Sequence, residues 1–88
     1  MKIEVTARDI EYGAGGDPGE CALARALRGK FGVGADEVSV GLCSVTLPDR
    51  EGRVKLPVAA VVFREAFDAW RLGGGPRPKP ITFELPDA

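Results

Sequence analysis

Histidine is missing from all 88 residues of the chain. Its absence removes the commonest general base near neutral pH, the commonest nitrogen ligand for metals, and every Ser or Cys triad that runs through an imidazole. Only two cysteines are present, Cys21 and Cys43. Two thiols cannot build a disulfide framework, nor supply the roughly four Cys or His ligands of a structural zinc site. No metal or cofactor is therefore expected. Excess charge is also lacking: 12 basic against 13 acidic residues leave a net charge of -1. Such a balance sets up no long-range field to collect a polyanion. No apolar run approaches the roughly 18 to 20 residues of a membrane span, and the chain opens on strand-like alternation rather than a basic and then apolar leader. A cytoplasmic protein without membrane association is the expectation.

The residues that are present suit a globular fold, since 44% are hydrophobic and 28% charged, outside the low-hydrophobicity regime of disorder. A chain this short makes one domain, residues 1–88, burying only about 60 to 65% of its unfolded surface. Its core is thin, so partner binding or homodimer formation is a natural supplement.

Lys2 to Ala7 alternates polar and apolar residues as a half-buried strand does. Arg8 to Tyr12 reads as a turn. The Gly13 to Gly16 loop then leads to Asp17, Pro18, Gly19 and Glu20, which read as cap, first helical proline and returning acid of a helix. On about 100° per residue, Leu23, Ala24, Leu27 and Phe31 turn toward the core, and Cys21, Arg25 and Arg28 share the opposite side. Val38, Val40 and Leu42 alternate on one parity and Val45 and Leu47 on the other, predicting one long bent strand or two short ones. Asp49 to Gly52 makes a hairpin turn, with Val54 and Leu56 facing in. Pro57 opens a second helix whose Ala59, Phe63, Ala66 and Trp70 form a core stripe flanked by Val62 and Phe67. Gly73 to Gly75 stop it, Pro76, Pro78 and Pro80 form a stiff spacer, and Ile81, Phe83 and Leu85 alternate in a closing strand. The sum is βαββαβ: an α+β two-layer sandwich with both helices on one face of a mostly antiparallel sheet, for which a ferredoxin-like split βαβ is the simplest topology.

The carboxylate neighbours, Asp9 with Glu11 and Asp36 with Glu37, fall at turns and strand edges, where acids are ordinarily solvated. The glycine loop before the first helix resembles a phosphate cradle but lacks the Lys and Ser or Thr of a Walker motif, and it reads as a flexible loop before a self-capped helix. Cys21, in the first turn of that helix and beside Arg25 and Arg28, is a candidate reactive thiol, because dipole and guanidinium both favour the thiolate. The polar sheet face would show Lys2, Glu4, Thr6, Arg53, Lys55, Thr82 and Glu84, with both signs of charge and no aromatic for stacking. Phe67 and Trp70 read as packing residues. Val61 and Leu72 project from the other side of the same helix and, with Arg53 and Lys55, are the candidate interaction residues.

Val5, Thr6, Asp9 and Ile10, the Cys21 to Leu27 helix, and Phe63 to Ala69 leading to Phe83, Glu84, Leu85 and Pro86 together resemble a group of small proteins from actinobacteria and their bacteriophages that carries no assigned activity. The resemblance runs nearly the full length and implies an accessory protein that acts by binding a larger one. The leading expectation is a non-enzymatic protein-interaction module. The alternative is nucleic-acid binding through Arg25, Arg28, Lys30, Arg53 and Lys55, and the third is a redox or nucleophilic role for Cys21.

Overall fold

The computed structural model describes residues 1–87, apart from the side chain of Ala35. The order of elements is β1 (Lys2–Val5), α1 (Ala7–Tyr12), α2 (Ala22–Phe31), a 3-10 turn (Ala35–Glu37), β2 (Ser39–Val40), β3 (Ser44–Thr46), β4 (Arg53–Lys55), α3 (Val58–Arg71) and β5 (Ile81–Glu84). The expected α+β class holds, with three α-helices and antiparallel strands among the described residues.

Two local readings give way to hydrogen bonds the chain makes with itself. Residues 7–12 form a helix, not a turn, because Thr6 and Asp9 close a capping box: the Thr6 Oγ1 accepts the Asp9 N–H at 3.2 Å and the Asp9 carboxylate accepts the Thr6 N–H at 3.0 Å. Asp17 does not start α2. Its carboxylate accepts the Gly19 N–H at 2.9 Å and its carbonyl accepts the Cys21 N–H at 2.9 Å, so residues 17–20 are spent on a turn and the helix begins at Ala22 with Cys21 as N-cap. At its other end α2 stops on Gly32, which takes the left-handed conformation at φ 68° and donates to the Arg28 carbonyl.

The strands also divide differently. A split βαβ needs β1 beside β4 in one sheet, whereas among the described residues β1 pairs with β5 alone and β2, β3 and β4 form a second antiparallel sheet. The change of parity after Leu42 is a reversal into two short strands, with Val40 opposite Val45. The hairpin at Asp49 to Gly52 follows as read, setting Val45 against Val54 and Thr46 against Arg53. The outer edge of β4 carries Arg53 and Lys55 and ends two residues before Pro57, a short charged edge that does not template a further strand.

One core joins the parts. Ile3 and Val5 of β1, Leu23 and Leu27 of α2, Val45 of β3, Phe63 and Phe67 of α3 and Phe83 of β5 are all buried in it. Gly13 is buried against it. A Cβ there would lie 2.8 Å from both the Ala22 nitrogen and the Asp9 carbonyl oxygen, and 2.9 Å from Cζ of Phe67. The loop read as flexible is thus wedged between three elements. Gly13→Ala is expected to lower unfolding free energy by about 2 kcal/mol through overpacking, while Gly29→Ala, in α2 with nothing within 4 Å of its Cβ, raises it by about 0.5 to 1 kcal/mol. Urea unfolding of the two variants measures the contrast; equal effects would contradict the wedge.

Candidate functional site

The apolar arc of α3 is wider than the surface that covers it. At 100° per residue, Ala60, Phe63, Phe67 and Trp70 share one face, and the first three are buried. Next to them on one side run Ala59, Val62 and Ala66, expected in the core stripe or on its flank, and all three are exposed. Val58 adjoins them, 79% exposed, with Val62 at 60%. The helix is turned about its axis toward the loop of residues 13–17, and its buried stripe shifts with it.

Side chains at the other flank show what holds that turn. Asp68 accepts the Gly16 N–H at 3.1 Å and pairs with Arg64 at 3.1 Å. Arg71 lays its stem on Gly15, where a Cβ would meet the Arg71 Cβ at 2.6 Å. Its guanidinium donates to the Ile10 carbonyl at 2.8 Å and to that of Glu11, two of the carbonyls left free at the end of α1. The same guanidinium stands 4.3 Å from the Trp70 ring centre, and Arg77 stands 5.0 Å from it. Arg77 also binds Glu11 at 2.7 Å, which holds that carboxyl below its ordinary range. The proline spacer is thereby strapped to α1 and α3.

Candidate thiol chemistry meets a different setting from the one read in the sequence. Cys21 is 4% exposed, and burial pushes its thiol up, with the Ala24 and Leu23 amides offsetting part of the effect. Arg25 and Arg28 are engaged elsewhere: Arg25 approaches Asp9 at 3.9 Å and Arg28 pairs with Glu20 at 3.1 Å. Cys21 instead lines a surface pocket with Pro18, Val40, Leu42, Arg64 and Asp68. The exposed thiol is Cys43. Among the described residues no three His, Cys, Asp or Glu side chains come together as a metal site would require.

The other named candidates scatter. Val61 is half-buried and packs on the core, whereas Leu72 is 84% exposed just past the end of α3. Arg53 folds back on its own hairpin, bonding the Ser44 Oγ at 2.6 Å and the Thr46 Oγ1 at 3.1 Å, and Lys55 stays exposed on β4. Arg25 and Lys30 line a groove beside β1 instead, so the structure does not gather the five basic residues. It does add an aromatic to them. Tyr12 is exposed, with the Arg8 and Arg25 guanidinium groups 5.6 and 5.8 Å from its ring centre. The sequence signal for that cluster was Tyr12 four residues after Arg8 on one helical face, visible only once residues 7–12 are a helix.

No family model, curated protein or solved structure matches the chain. Alkylation with iodoacetamide at neutral pH is expected to modify Cys43 first, with Cys21 protected in the folded protein and reacting only as the pH is raised or the chain opens. Labelling of Cys21 as fast as a free thiol, read by mass spectrometry, would contradict its buried, protonated state.

Proposed function

We propose that the chain is a non-enzymatic protein-interaction module of phage or bacterial accessory type, docking on a larger protein through the uncovered flank of α3. The observation that carries this reading is the run of Val58, Ala59, Val62 and Ala66, which are exposed side by side with no charged residue among them. An apolar strip of this kind on a rigid helix presents the spaced anchors of helix-in-groove recognition. The thin core adds weight, since burying this strip supplies apolar contact that the chain cannot make alone. The site differs from the one read in the sequence: Val58 and Val62 take the place of Val61, and Leu72 lies beyond the strip.

A second reading rests on Tyr12. An exposed ring flanked by Arg8 and Arg25, with Lys30 farther along α2, has the elements of a stacking platform for a single-stranded nucleic acid. Arg28, Arg53 and Lys55, the rest of the basic set expected from the sequence, belong to this reading only as diffuse charge, because Arg28 and Arg53 already have partners.

One capture experiment separates the two. Wild-type protein immobilised on beads is expected to retain a discrete protein from host lysate, and the Val58→Glu, Val62→Glu double variant to lose it by at least tenfold. Both sites are exposed and Glu is a good helix former, so the variant keeps its unfolding midpoint. Retention by the double variant would sink the α3 reading. Recovery of RNA or DNA that is lost in Tyr12→Ala and washed off by moderate salt would favour the second.

A further inference from the structure

We propose that β1 is a self-pairing edge, through which two copies of the chain join their β1–β5 sheets into one four-stranded antiparallel sheet. The proposal uses a surface separate from the α3 flank and does not rest on it.

Hydrogen-bond parity shows which backbone groups are free. Leu85 donates its N–H to the Met1 carbonyl at 2.9 Å, and the register runs from Lys2 opposite Glu84 to Val5 opposite Ile81. Bonded and non-bonded pairs alternate along an antiparallel ladder, so Met1, Ile3 and Val5 turn their N–H and C=O groups toward β5. Lys2 and Glu4 turn theirs away. No other strand lies on that side among the described residues. The edge opens instead onto a groove of about 480 Å³ that Arg25, Ala26, Gly29 and Lys30 of α2 line together with Lys2 and Glu4.

Charge then picks the occupant. In an antiparallel pair of two β1 strands centred on Ile3, residues whose numbers sum to six stand opposite each other, so Lys2 of one copy faces Glu4 of the second, twice. This is the register in which the free groups of Lys2 and Glu4 bond each other, and it places both ion pairs on the outer face, where these side chains are 62% and 66% exposed and each copy's own Lys2 and Glu4 approach only to 3.7 Å. Among the described residues no other strand edge has this property. β5 presents Thr82 and Glu84, one sign of charge; β4 presents Arg53 and Lys55, which repel their own copies. β2 is two residues long, and its Val40 N–H is already given to the Pro18 carbonyl.

Sedimentation equilibrium across a concentration series tests the pairing. Wild-type protein is expected to pass from monomer to dimer. Glu4→Lys and Lys2→Glu each turn two attractions into two repulsions and weaken dimerisation by roughly tenfold or more. Glu4 faces Thr82 within its own sheet, and inside the chain Glu4→Lys removes one exposed 3.7 Å contact with Lys2, a surface pair that contributes little to folding. An equimolar mixture of the two variants restores association as a mixed dimer, since each cation again faces a carboxylate. A wild type that stays monomeric, single variants that dimerise as well as wild type, or a mixture that fails to associate would each overturn the proposal. So would a dimer lost in the Val58→Glu, Val62→Glu variant and kept in Glu4→Lys, which would move self-association to α3.

Discussion

The close approach at Gly13 governs the molecule. The end of α1, the start of α2 and the Phe67 ring of α3 meet around a residue with no side chain, at distances a Cβ could not share. Interiors are packed densely enough that such a contact fixes orientation as well as distance. Phe67 must point at residue 13, so the buried stripe of α3 runs through Ala60, Phe63 and Phe67, and Ala59, Val62 and Ala66 are turned outward. The exposed apolar strip is the other side of that constraint.

Polar contacts hold the same orientation from outside the core. Arg71 closes the free carbonyls of α1, Asp68 fastens the loop at Gly16, and Arg77 ties the proline spacer to Glu11 and Trp70. Each is exposed or half-exposed and modest in energy by itself. Together they bind the loop, the spacer and the ends of two helices into one corner. That corner engages the Arg71 and Arg77 guanidinium groups within the chain.

Much of the fold was legible in local signals that tertiary contacts do not oppose. The alternation of β1 and β5, the Asp49 to Gly52 hairpin, Pro57 before α3 and the glycine stop after it all stand where the residue pattern puts them. The misreadings share a cause in short-range competition. Asp17 carries the residues of a helix cap, yet its carboxylate reaches Gly19 first and makes a turn. Thr6 and Asp9 carry a capping box, but six residues of helix follow, too few for periodicity to announce them. The candidate site was less legible than the fold. The width of the α3 apolar arc is plain in the sequence, but which part of it is covered depends on Gly13 and Phe67, 54 positions apart (67 − 13). Cys21 meets a different setting from the one its sequence neighbours suggest: it is the N-cap of α2 and is buried, and Arg25 and Arg28 pair with Asp9 and Glu20.

The orientation of α3, with one apolar flank facing solvent, is open to direct measurement. Methyl and amide resonances broadened by a soluble paramagnetic chelate report that orientation without any partner. Strong broadening is expected at Val58, Val62 and Ala66, with protection at Ala60, Phe63 and Phe67. Protection of Val62 and Ala66 with broadening at Phe67 would contradict it.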